Sequence, residues 1–260
     1  MFLICGVTLP PALLDWQREI EQVGKITVVL LRLPANGQTT ALNLPPETPR
    51  RELLEPYTSQ IGFVSQYRGA QAMTVNALSA EGRASFVLIN PLLAGSGEAE
   101  EAVIAHEFGH IWLKAKRYPA PVYQGGEAAC LSVHSLDAVQ HILIREEMER
   151  RGVAWKRPWF TGLAAALEQM DRSPGAAAGV GRCQTLSQAA MWVDVALGAG
   201  DWPGQGSFLT AMRRRFPVVV PAAEEISTYL RRQNVADPAR HRAALEFVFA
   251  RLKRLALAVP

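Results

Sequence analysis

The chain has 260 residues, of which 49% are hydrophobic and 20% charged, and its formal net charge is +3. This balance is typical of a globular protein with a sizeable core and excludes a disordered chain. The weak positive charge also argues against a nucleic-acid partner, because such binders concentrate basic residues far more strongly. No apolar run approaches the roughly 18 residues of a membrane span, so we expect no membrane partner.

The beginning of the chain and its cysteines predict a cytoplasmic protein. Residues 1–7 are apolar but carry no basic residue, and Pro10 and Pro11 follow soon after, unlike a signal peptide. The chain has an odd number of cysteines without paired spacing, namely Cys5, Cys130 and Cys183. We therefore expect no disulfide framework and a reducing compartment.

Three short segments in the first third have strand character. Residues 26–33 form a β-branched and leucine run that ends at Pro34 and an Asn-Gly turn signal. Residues 61–67 and 85–89 are similar, and Asn90-Pro91 closes the latter. These segments predict a small mixed or antiparallel sheet.

A buried helix is predicted to follow from about residue 98. Gly97 is a suitable N-cap, and three glutamates in the next four residues favour the positive end of a helix dipole. The middle of the helix is apolar nearly all round, which is typical of a buried helix. Basic residues 114, 116 and 117 suit its C-terminal end, and Pro119 stops it.

The most informative motif of the chain lies on this helix. Residues 106–110 read His-Glu-Phe-Gly-His. Histidines at i and i+4 share one helix face, so His106 and His110 can bind one metal ion. Glu107 is then placed to act on a water molecule at that ion. The alternative is a pair of hydrogen-bonded core histidines with Glu107 paired to a lysine.

The motif and its uncharged surroundings, residues 103–112, resemble the extended consensus of the zincin metallopeptidases, and the gluzincins among them. The resemblance implies a zincin-like core that binds Zn²⁺ through His106 and His110. It also implies that Glu107 is the catalytic general base, which uses a metal-activated water to hydrolyse peptide bonds. In that core an edge strand lies beside the active site and pairs with the extended substrate. Residues 85–113 are also similar to the small cytoplasmic metallopeptidases of the repressor-cleaving kind.

A third metal ligand is expected from a second helix over residues 127–151. His134, Asp137 and His141 follow one another there at steps of three and four and so share a face. We expect one of Asp137 and His141 to bind the metal and the other to orient a ligand. His134 and Glu127 remain alternatives. The gluzincins usually use a glutamate here, and this chain departs from that pattern.

The remainder of the chain predicts helices over residues 161–170, 184–197, 208–216, 222–232 and 239–257. We expect an α+β fold with a zincin-like metal-binding catalytic domain over residues 1–152 and a helical subdomain over 153–260 that closes the cleft. Tyr118 and Tyr123 are candidates for stabilising an oxyanion. The predicted function is a zinc metallopeptidase acting on a peptide or protein substrate, and the alternative is a non-catalytic, metal-stabilised regulatory or binding protein.

Overall fold

A computed structural model of the protein describes residues 9–79, 82–120, 126–173, 175 and 180–259. Among them the fold is α+β, with a small three-stranded mixed sheet and many helices. Contacts between residues divide the chain into two compact units. The first holds the described residues up to Arg117 and Glu147–Pro158, and the second holds Tyr118–Glu146 and the described residues from Trp159 onward. Residues 118–146, which the predicted domains assigned to the first, fall in the second unit.

The sheet lies in the first unit and has the strand order β1-β3-β2. Its strands are β1 (Thr27–Arg32), β2 (Ala72–Ser79) and β3 (Gly82–Ile89). β3 is parallel to β1 and antiparallel to β2. Six consecutive residues of β3 are buried, as expected for a strand covered on both faces. The prediction of a small mixed or antiparallel sheet is confirmed, since the sheet is mixed, and the strand that precedes the motif helix is its central strand.

The part of the first unit up to Arg117 also contains helices α1 to α4 and a short 3₁₀ turn. Their bounds are α1 (Pro11–Gly24), α2 (Arg51–Leu54), α3 (Ile61–Arg68) and α4 (Glu98–Ala115). α1 packs on α4, which in turn contacts β2 and β3. α2 and α3 contribute Leu54, Val64 and Tyr67 to a core that also contains the inward side chains of the sheet.

The strand predicted over residues 61–67 is wrong, because this segment forms α3. Val64 and Tyr67 are its buried residues, three positions apart, whereas Ile61 is 84% exposed. Spacing by three matches a helix, but so short an apolar run does not distinguish helix from strand by itself. The Tyr67 hydroxyl donates to the Leu33 carbonyl at 2.8 Å and fixes the helix on the end of β1.

The second unit is helical among its described residues. Its helices are α5 (Gly126–Arg150), α6 (Lys156–Arg172), α7 (Arg182–Gly198), α8 (Gln205–Arg215), α9 (Val220–Leu230) and α10 (Pro238–Ala258). The end of α5 and the start of α6 belong to the first unit. The predicted helices of this half are confirmed. α7 packs against α8, α9 and α10, and it buries side chains on nearly all sides. None of the described helices has the length and hydropathy that crossing a membrane requires.

The expectation that the cysteines are unpaired is wrong for two of them. Cys130 and Cys183 are joined by a disulfide in the second unit, across 53 residues of sequence. Their separation gives no pairing signal, because the contact depends on how α5 and α7 pack. Cys5 lies outside the described residues.

Glu19 of α1 is the centre of a polar cluster that joins three parts of the first unit. It accepts hydrogen bonds from Trp112 Nε1 at 3.1 Å and from Arg151, and Lys116 Nζ lies 3.1 Å away. Burial raises the pKa of Glu19, but these donors outweigh it and lower the pKa to about 2. The carboxylate therefore stabilises the folded state above the unfolded pKa near 4.5, and this contribution is lost as the pH falls from 4.5 toward 2.

We expect Glu19→Gln to lower the free energy of unfolding at pH 7 by about 1–2 kcal/mol, a value reduced for the 32% exposure of the side chain. The difference from wild type should shrink when urea unfolding is repeated at pH 3. Asp15→Asn is the matched control, since Asp15 pairs only at the surface with Arg18 among the described contacts. Equal stability of Glu19→Gln and wild type at pH 7 would contradict the assignment.

Candidate metal centre

The helix that carries the motif is held at both ends by charged side chains. At its start, Gly97 has a positive φ of 57°, which favours glycine at this cap. Glu100 in the first turn is buried and accepts from Arg32 Nε of β1 at 2.7 Å. Trp112 and Lys116 near its end bond to Glu19. The predicted start and end of the helix are confirmed, and these contacts fix the start of α4 to β1 and its end to α1.

His106 and His110 face each other on one side of α4. Their Nε2 atoms are 3.2 Å apart, and their ring planes are nearly perpendicular. Two nitrogens bound to one tetrahedral zinc at 2.0–2.1 Å lie about 3.3–3.4 Å apart. The separation of the two Nε2 atoms is therefore compatible with a shared divalent ion. A hydrogen bond between two neutral rings has a similar length.

Glu107 is fixed by a residue that the sequence analysis did not identify. The Thr74 hydroxyl on β2 donates to Glu107 Oε2 at 2.6 Å. This bond occupies one carboxylate oxygen and sets the orientation of the other. β2 is an edge strand of the sheet among the described residues, so Thr74 links the motif to that edge. β2 was not predicted, because Ala, Met and Asn give it weak strand propensity.

The predicted residues of α5 lie together in the second unit. Asp137 Oδ2 lies 3.6 Å from His134 Nδ1, and Asp137 Oδ1 lies 3.8 Å from His141 Nε2. All three side chains are largely buried, with 16–26% exposed. The predicted common face is therefore present. The side chain of Glu127 lies outside the described residues.

His141 has a second carboxylate partner that the sequence analysis missed. Asp194 Oδ1 on α7 lies 3.2 Å from His141 Nδ1, and Asp194 also pairs with Arg145. The sequence does contain a signal for Asp194, because it is the lone charged residue in the apolar run 189–197. Burial lowers the pKa of His141, but the Asp194 charge outweighs it and raises the pKa above its usual value. Burial raises the pKa of Asp194, whereas Arg145 and His141 bring it well below its usual range.

The structure describes one of the two tyrosines that were predicted to stabilise an oxyanion. The Tyr118 hydroxyl donates to the Ala236 carbonyl at 2.7 Å, and its ring packs edge-on against His241. This hydroxyl is thus engaged within the second unit. Tyr123 lies outside the described residues.

Comparison with protein-family models, curated proteins and solved structures gives no match for this chain.

Proposed function

We propose that the protein is a zinc metallopeptidase with a zincin-like core. The observation that carries this proposal is the 3.2 Å separation of His106 Nε2 and His110 Nε2, with Glu107 between the two histidines in sequence. A catalytic zinc site typically has three protein ligands and an open position for water, and two histidines one helical turn apart supply two of these ligands while the adjacent glutamate acts on the water. When bound there, zinc lowers the pKa of a water molecule and polarises the carbonyl that is attacked.

Glu107 is the general base in this proposal. Its Oε2 is held by the Thr74 hydroxyl, which leaves Oε1 to take a proton from the attacking water. The same carboxyl group then gives the proton to the leaving amine, so that no net proton remains on the protein after one turnover. A metal site that only stabilised the fold would have no use for a general base.

We propose His141 as the third ligand, with Asp137 as the alternative. Support comes from the Asp194 carboxylate beside His141 Nδ1, because histidines that bind metals usually direct their second ring nitrogen to a carboxylate. This contact raises the basicity of the ring, which favours binding of a cation. Asp194 and Arg145 would then orient the ligand without binding the ion.

The substrate class follows from the edge strand. β2 pairs with β3 alone among the described strands, so its other side offers backbone donors and acceptors to an extended peptide. Thr74 on this strand contacts the general base, which links a peptide bound at the edge to the catalytic carboxylate. We infer that the substrate is an extended segment of a peptide or protein.

The proposal is tested by incubating the protein with a mixed peptide library and analysing the products by mass spectrometry. We expect cleavage that a chelator abolishes and added Zn²⁺ restores. Zinc bound without any cleavage would favour the alternative function, a metal-stabilised binding protein. Cleavage that persists after zinc is removed would contradict the mechanism.

Thr74→Val should lower kcat by about 10-fold or more, the usual range for groups that orient a site, while bound zinc stays unchanged. The reason is that valine keeps the shape of threonine but leaves Glu107 Oε2 without this hydrogen bond. Thr74→Ser keeps the hydroxyl group and should retain most of the wild-type activity. A threonine that served only in packing would not give this difference between the serine and valine variants. An unchanged kcat in Thr74→Val would show that the bond does not orient the base.

A further inference from the structure

A second group of metal-binding atoms lies in the second unit. The Sγ atoms of Cys130 and Cys183 and a ring nitrogen of His134 are all within 4.8 Å of one another. Cys130 and His134 are four residues apart on α5 and so share a helix face, and Cys183 is the second residue of α7. Three potential ligands from two helices therefore converge on one point.

We propose that the reduced chain binds a soft divalent cation such as Zn²⁺ through Cys130, Cys183 and His134, and that the disulfide is the alternative, metal-free state of this site. Thiolate and imidazole are the ligands that zinc and cadmium prefer. A tetrahedral zinc ion separates such ligand atoms by roughly 3.3–3.8 Å, so only side-chain rotations are required after the disulfide opens. A water molecule completes the coordination.

The surroundings favour the metal-bound state in two ways. Asp137 Oδ2 lies 3.6 Å from His134 Nδ1, so the carboxylate can orient the ring with Nε2 toward the ion. Cys183 lies in the first turn of α7, where the helix dipole favours the negative thiolate. Cys183 is also exposed, which gives a reductant access to the disulfide.

The exchange between the two states balances as a two-electron reaction. A dithiol or phosphine reductant supplies two electrons that break the bond between the sulfurs, and two protons from solvent complete the thiols. The dithiol becomes a disulfide, or the phosphine becomes its oxide with oxygen from water. Binding of the cation then releases both thiol protons to solvent as two metal–sulfur bonds form. A small-molecule disulfide reverses the reaction: it takes two electrons from the two thiolates and two protons from solvent to become a dithiol, while the bond between the two cysteine sulfurs forms, both metal–sulfur bonds break and the cation leaves to solvent.

The test uses Cys5→Ser protein, which leaves only these two cysteines, reduced with a phosphine or kept oxidised, and titrated with Cd²⁺. We expect a thiolate-to-cadmium charge-transfer band that saturates at one equivalent in the reduced protein and is absent from the oxidised protein. The proposed centre at His106 and His110 contains no thiolate and gives no such band, so the two proposals fail independently.

Variants define the ligands. Cys130→Ser should lose the band of two thiolates, and His134→Ala should weaken cadmium binding, whereas Val133→Ala on the exposed side of the same helix should not. Absence of the band from reduced protein would overturn the proposal, as would a cadmium affinity that His134→Ala leaves unchanged. If Cys130→Ser does not fold, the comparison of reduced with oxidised protein still tests whether the two thiolates bind the cation.

Discussion

Glu107→Gln is expected to lower the rate of peptide hydrolysis by at least about 100-fold and to leave bound zinc unchanged. General base catalysis typically contributes 10²–10⁴-fold, and glutamine keeps the size of glutamate while it cannot take the proton from water. Thr74 can still donate to the amide oxygen, so the local geometry should survive. Hydrolysis is measured on a peptide identified from the library, and zinc by elemental analysis.

Glu101→Gln is the matched control, since it makes the same chemical change on the same helix outside the motif. It should retain wild-type activity. Activity of Glu107→Gln within a few-fold of wild type would exclude Glu107 as the general base. Loss of zinc from this variant would instead assign the carboxylate to metal binding.

His110→Ala and His141→Ala are each expected to weaken zinc binding by more than 100-fold in oxidised protein. Loss of a group that only orients a ligand already costs 10–100-fold, and loss of a ligand should exceed that. The measurement is competition against a chelator of known zinc affinity. Oxidised protein is required so that Cys130 and Cys183 stay joined and do not bind the added ion.

His134→Ala is the control for this pair of variants, because it removes an imidazole from the same face of α5. It should keep the zinc affinity of wild type, and Asp137→Asn should reduce it by less than His141→Ala does. A loss in His134→Ala as large as in His141→Ala would contradict the assignment of His141. A larger loss in Asp137→Asn would make Asp137 the ligand.

Local sequence signals predicted the elements that carry the candidate residues. The Gly97 cap, the acidic first turn and Pro119 defined α4, and steps of three and four defined the polar face of α5. These signals act within one helix, where spacing alone determines which side chains are neighbours. His106, Glu107 and His110 could therefore be placed on one helix, with the two histidines on one face, before any coordinates.

Contacts between elements could not be predicted in the same way. Thr74 lies 33 residues from Glu107 in sequence, and Arg145 lies 49 residues from Asp194, so each pair depends on how elements pack. The Cys130–Cys183 disulfide was missed for the same reason. The error at α3 was different, because so short a segment as residues 61–67 carries too little periodicity to separate helix from strand.

X-ray absorption at the zinc edge tests the central claim most directly, on oxidised protein loaded with one equivalent of Zn²⁺. We predict imidazole nitrogens at 2.0–2.1 Å from zinc, no sulfur at 2.3 Å, and loss of the bound ion when His106 and His110 are both replaced by alanine. A zinc environment without imidazole, or one that the double replacement leaves unchanged, would contradict it.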